Sequence, residues 1–211
     1  VSSKKSKRAK RPPLPKFNDQ IPISQIRTLK TTRSQEILEN ARQYPLLGCW
    51  LHAKWKDSGI TPVIVARSLN PERLLFGAIM VDLYCLGIKD AYARVDVSRQ
   101  AFLRDLPRLC SDEPLECSVE LAHEIVYGAM EFAASYGFQP HPDFTRQRVD
   151  QILDPPESHP RNHKVEFGKD GKPFYIPGPY DDERKIRSVI NTLMHTAGEG
   201  NFDYIAVLRQ S

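Results

Sequence analysis

Apolar residues change their spacing several times along the chain, and each change marks an element. The strongest pattern lies at residues 60–68 (ITPVIVARS) and 74–86 (LLFGAIMVDLYCL). Both runs are rich in β-formers, and the five residues from Leu69 to Arg73 between them predict a β-hairpin. The second run is apolar at nearly every position, as expected of a central strand covered on both faces. After Gly87, residues 90–97 alternate: Ala91, Ala93, Val95 and Val97 share one face, and Tyr92, Arg94 and Asp96 share the other.

Helical spacing takes over elsewhere. Ser34 is the expected N-cap of a first helix carrying Ile37, Leu38 and Ala41 and stopping before Pro45, while residues 46–56 fit a short helix or a strand equally well. Ser98 caps a helix with Phe102, Leu103, Leu106 and Leu109, interrupted by Pro107. Ser118 caps a longer one through Tyr136, closed by Gly137, whose apolar girth predicts the central core helix. A short helix follows at 144–153, then a loop at 154–163. A second hairpin is predicted from strands at 164–167 and 173–176 turned by Asp170-Gly171. Asp181 or Asp182 opens a last helix to Gly198, and residues 202–208 read as a final strand. Hairpins mixed with helices, without strict alternation, predict an α+β fold: antiparallel hairpins forming a sheet packed against several helices.

Charge divides the chain. Residues 1–33 carry ten basic side chains against Asp19 alone, a net +9, while the remainder carries 20 basic and 25 acidic residues, a net −5. With Pro12, Pro13 and Pro15 and little to bury, the first stretch predicts a disordered basic arm (1–33) on a single globular domain (34–211). No apolar run reaches the ~18 residues of a membrane span, and no apolar signal core follows the basic start, so a soluble, cytoplasmic protein without membrane contact is expected. Cys49, Cys85, Cys110 and Cys117 are scattered through regular segments, which favours buried thiols over a disulfide framework.

An arm of lysines and arginines suits a polyanion. Lys4, Lys5, Lys7, Arg8, Lys10, Arg11 and Lys16 are the expected phosphate contacts of a nucleic-acid partner, RNA before DNA, with structured RNA such as the ribosome as the preferred target. On the body, Lys169, Lys172, Arg184 and Arg187 are weaker candidates for the same role. A nuclear-import signal in residues 4–11, on a module that binds a protein partner, is an alternative.

Chemistry is less evident, and the reading leans away from catalysis. Asp82 interrupts an apolar strand. Paired with Asp96, and with His123 or Glu124 nearby, it would make a metal-dependent hydrolase or nuclease; the bland alternative is a structural carboxylate held by Arg94 or by the Gly87 turn. His123-Glu124 lacks the second histidine of a zinc-protease motif, because Tyr127 stands there. His159 and His163 with Cys110 and Cys117 are a weak zinc set. His141, between two prolines, reads as a loop residue. No Walker loop, dinucleotide fingerprint or nucleophile elbow is present, and no cofactor is expected.

Two stretches carry a resemblance: residues 81–90 (VDLYCLGIKD) and 167–179 (FGKDGKPFYIPGP). They look like a group of uncharacterised bacterial proteins, some with a SEC-C-type zinc-binding tail, over most of residues 45–208. The resemblance implies no activity, and with no cysteine after Cys117 this chain has no counterpart of that tail.

Overall fold

The computed structural model describes residues 32–205. The basic positions Lys4, Lys5, Lys7, Arg8, Lys10, Arg11 and Lys16, and the last residues of the expected final strand, lie outside that range.

Five antiparallel strands form the central sheet: β1 (Leu46–His52), β2 (Ile60–Ser68), β3 (Arg73–Asp82), β4 (Gly87–Ser98) and β5 (Pro114–Cys117), in the order β4-β3-β2-β1-β5. Among the described residues six α-helices accompany it: α1 (Thr32–Glu39), α2 (Trp55–Ser58), α3 (Arg99–Leu109), α4 (Val119–Ser135), α5 (Asp143–Arg146) and α6 (Glu183–Thr196). This is an α+β architecture. Residues 46–52 resolve as strand because both neighbours, β2 and β5, supply ladders.

The period-two pattern sorts side chains onto two covered faces. Val63 and Val65 of β2, Leu75, Ile79 and Val81 of β3, and Ala91 and Ala93 of β4 join Ile125, Val126 and Ala129 of α4 in the larger core. On the opposite face, Ile64, Ala66, Leu74, Phe76 and Ala78 pack with Phe102 and Leu106 of α3. β3 is paired on both sides and buried along most of its length, as its unbroken apolar run predicted.

Several local expectations change. Ser34 lies inside α1, not at its cap. β3 stops at Asp82, since residues 83–86 turn back into β4. Pro107 sits in the last turn of α3 and does not interrupt it; the bond its missing N–H forfeits is close to where the helix ends anyway. Residues 144–153 form only the single turn α5 and a 3-10 turn at Val149–Gln151. Val97 leaves the face of Ala91 and Ala93 and packs against the core on the α3 side of the sheet. The cause is a β-bulge: Leu74 pairs with Val97 but Phe76 pairs with Arg94, and Asp96 takes φ +56° to absorb the surplus residue.

The second hairpin does not form as expected. Lys169 and Lys172 close a tight turn over Asp170 (φ +53°) and Gly171 (φ +76°), yet residues 164–167 are not a strand. Instead β6 (Phe174–Tyr175) pairs in parallel with β7 (Asp203–Tyr204). This pair and α6 enclose a third, smaller core of Cys85, Tyr175, Val189, Leu193 and Phe202. Asp182, not Asp181, caps α6, accepting the Lys185 N–H at 2.8 Å.

Helix α4 passes close to β4 at Gly87. A Cβ there would lie 3.0 Å from the Ala129 carbonyl oxygen, and the backbone has φ +67°, so only glycine fits without strain.

Candidate functional site

The two carboxylates proposed as a catalytic pair are far apart. Asp82 pairs with Gly87 at one end of the β3–β4 ladder, whereas Asp96 lies at the other end beside Arg73. Eight strand residues at about 3.3 Å each separate them by roughly 25 Å. No single ion or substrate atom bridges that distance, so the Asp82–Asp96 assignment is corrected.

Each has a structural role. Asp82 Oδ1 accepts the N–H groups of Tyr84 (2.9 Å) and Cys85 (3.1 Å), holding the turn into β4, and it does not meet Arg94. Burial raises its pKa, opposed by the Lys89 charge and these backbone donors. Asp96 is exposed, and its hydrogen bond from Arg73 Nε at 2.7 Å lowers its pKa.

His123 and Glu124 face the loop after α5. His123 Nε2 lies 2.7 Å from the Pro155 carbonyl oxygen, which can only accept, so Nε2 carries the proton. Its Nδ1 is buried without a partner. Glu124 Oε2 accepts the His163 N–H at 2.9 Å. Nearby, Tyr127 donates to the Asp154 carbonyl at 3.0 Å, and the Asp154 carboxylate binds His159 Nε2 (3.0 Å) and Arg67 Nη2 (2.6 Å). These groups strap the 154–163 loop to α4 and β2. Apart from His123 Nδ1 they are occupied with one another, as in a structural network.

The four-residue zinc set is not assembled. Cys110 lies in the core under α3, while Cys117 packs on the opposite face of the sheet. Burial pushes both thiols up to about 12, far from the thiolate a metal needs.

The two stretches at 81–90 and 167–179 fold against each other. Gly168 N–H donates to Leu83 O at 2.9 Å, Phe174 N–H donates to Tyr84 O at 3.0 Å, and the Tyr84 and Phe174 rings lie 6.1 Å apart. Tyr175 OH, the Gly178 N–H and Lys185 Nζ converge on the Asp181 carboxylate at 2.9, 2.7 and 2.6 Å. Asp181, which the sequence offered only as a possible cap, is the anchor of this region.

Of the body's basic candidates, Arg184 and Arg187 lie on α6, whereas Lys169 and Lys172 lie in the turn before β6. Arg184 and Arg187 open a shallow groove of about 580 Å³ that continues past Ser188, Asn191 and Thr192 to His195. Lys172 Nζ donates to Gly200 O at 3.1 Å, just beyond the other end of the helix, and Lys169 Nζ stands 4.7 Å from the Phe174 ring centroid. The four therefore do not form one compact patch. From Arg187 to the end of α6 at Thr196 is about 13.5 Å at 1.5 Å per residue, and Ser188, Asn191, Thr192, His195 and Thr196 line the groove between them.

Sequence reasoning missed one cluster. Asp90, His141 and Asp143 bring three ligand-type atoms within 4.8 Å of one another, the one such group among the described residues. Its parts lie on β4, in the Pro140–Pro142 segment and at the start of α5. Fifty residues separate the first from the others, so no local spacing signalled it. No family model, curated protein or solved structure matches this chain.

Proposed function

We propose that this chain is a nucleic-acid-associated binding protein that docks on structured RNA, ribosome-like in kind, through its basic N-terminal residues. The observation that carries this reading is charge segregation: +9 within residues 1–33 against −5 over the rest. Such a segment neutralises phosphates and gains from counterion release, a sequence-independent term. The acidic remainder repels the same polymer except where Arg184 and Arg187 open the polar groove of α6, which gives placement. A reading as an enzyme has lost its paired carboxylates, and most of the polar groups around His123 are bonded to one another.

The test compares the full chain with a variant in which Lys4, Lys5, Lys7, Arg8, Lys10 and Arg11 are all glutamine. Binding to a folded RNA and to duplex DNA is measured across a salt series. Six phosphate contacts predict a log–log salt slope of about −4 to −5, flattened in the variant. Arg184→Ser with Arg187→Ser should flatten it by a further one to two contacts and reduce the preference for folded RNA. Equal binding by the full chain and the glutamine variant at every salt concentration would sink the proposal.

A further inference from the structure

We infer that Asp90, His141 and Asp143 form a binding site for a divalent transition-metal ion, with two carboxylates and one imidazole as protein ligands and the remaining coordination positions open. The inference is independent of nucleic-acid binding.

The site begins with a second bulge in β4. Met80 pairs with Asp90 but Val81 pairs with Ile88, so Lys89 is the surplus residue. Bulges re-aim neighbouring side chains. Here Lys89 Nζ lies beside Gly178 and acts on Asp82 and Asp181, while Asp90 faces His141 instead. The adjacent cation is thereby withdrawn from the Asp90 carboxylate.

The segment that brings His141 is fixed in place. His141 N–H donates to Ile88 O at 2.9 Å, pinning the chain after α4 to β4 directly beside the bulge. Asp143 follows after one proline and opens α5. His141 Nδ1 lies 3.9 Å from Asp90 Oδ1 and 4.0 Å from Asp143 Oδ2.

The hydrogen-bond pattern around His141 suits a bound cation. His141 Nδ1 accepts the Asp143 backbone N–H at 3.3 Å, so in this geometry that nitrogen carries a lone pair and the ring is the neutral Nε2–H tautomer. Two carboxylates thus face an unprotonated nitrogen. The compensating charges are few: Asp90 Oδ1 receives the Ala91 N–H at 2.8 Å, and Arg146 meets only the Asp143 Oδ1 side, at 3.3 Å, from an exposed position.

A metal ion resolves this arrangement. At bond lengths of about 2.0–2.2 Å, ligand atoms around one ion stand about 3.0–3.4 Å apart, so the observed 3.9 and 4.0 Å require each carboxylate to swing inward by under about 1 Å. In exchange the imidazole gives up the long Asp143 N–H bond. Mixed nitrogen and carboxylate ligation favours Zn²⁺ or Mn²⁺ over Mg²⁺ or Ca²⁺, and three protein ligands leave positions for water or an anionic oxygen.

The experiment titrates the full chain with Zn²⁺ and, separately, Mn²⁺ at pH 7.5, reading heat and, for Mn²⁺, the loss of free-ion paramagnetic resonance. One ion per chain is expected. Asp90→Asn, His141→Asn and Asp143→Asn should each weaken binding at least tenfold, whereas His195→Asn on α6 should leave it unchanged. Wild-type binding should weaken as the pH is lowered, because protons compete with the metal for its ligands. Independently of any variant, bound Mn²⁺ should broaden the His141 ring and Ala91 amide resonances first. Absence of binding at millimolar metal overturns the inference, as does broadening centred elsewhere.

Discussion

Arg67 Nη2 lies 2.6 Å from Asp154 Oδ1, joining the middle of the sheet to the loop that crosses α4. The arginine is 5% exposed at its side chain, and its other donors reach Ile152 O at 2.7 Å and Tyr44 O at 3.0 Å. One guanidinium therefore fastens β2, the entry to β1 and the 152–154 segment together. Burial alone would raise the Asp154 pKa, but His159 and Arg67 outweigh it and hold the carboxyl below its ordinary range.

Arg67→Met should accordingly be costly. The methionine fills much of the volume but leaves two carbonyls without donors and Asp154 with His159 alone. A loss of about 3 kcal/mol is expected, at the lower end for broken buried pairs because Asp154 is partly solvated. Urea denaturation measures it. A loss below about 1 kcal/mol would mean that the pair contributes little.

Asp82 separates a structural carboxylate from a reactive one. Asp82→Asn keeps an oxygen for the Tyr84 and Cys85 N–H groups and should change stability at pH 5 by under about 1 kcal/mol, while Asp82→Ala should lose about 1–3 kcal/mol by stranding both donors. Because the folded pKa of Asp82 is raised, its protonated form favours folding. That contribution is fully present below the ordinary carboxylate pKa of about 4 and is lost as pH rises through the folded value. The asparagine variant should gain on the wild type as pH increases from 4 to 8. Denaturation curves at several pH values decide the matter, and an unchanging difference would speak against a raised pKa.

His123 supplies a slope of opposite sign. Burial lowers its pKa, opposed by the Pro155 carbonyl, so the neutral ring is the folded form. Its contribution is fully present above about pH 6.5, the unfolded value, and disappears as pH falls through the folded one. His123→Gln, which retains a donor for Pro155, should show a shallower loss of stability between pH 7 and 5 than the wild type. Parallel curves for the two proteins would remove His123 as the source of the acid sensitivity.

These residues also explain what could be read in advance. Ser98 and Ser118 were legible as caps because capping is local: each accepts the N–H three residues on, at 3.1 and 3.2 Å. The β2–β3 hairpin was legible because both runs carry their pattern within themselves. The face of Val97 is not legible because a bulge inverts the alternation, and the bulge shows only in the β3–β4 register and in the left-handed backbone of Asp96. The 173–176 segment was assigned the wrong partner because its parallel neighbour comes some thirty residues later. The Asp90–His141–Asp143 cluster was hidden for a similar reason: it depends on where α4 ends and on which way Lys89 turns, neither of which is local.

The sheet order has a kinetic corollary. Strands β1 to β4 are a meander in which every partner is the next strand along the chain, so each pairing closes a short loop. β5 instead must bring Cys117 beside Cys49 after α3 has crossed one face. The entropy of closing that long loop is met only once the meander offers β1 as an ordered edge. Substitutions within β2 and β3 should therefore slow refolding, while those in β5 should chiefly hasten unfolding.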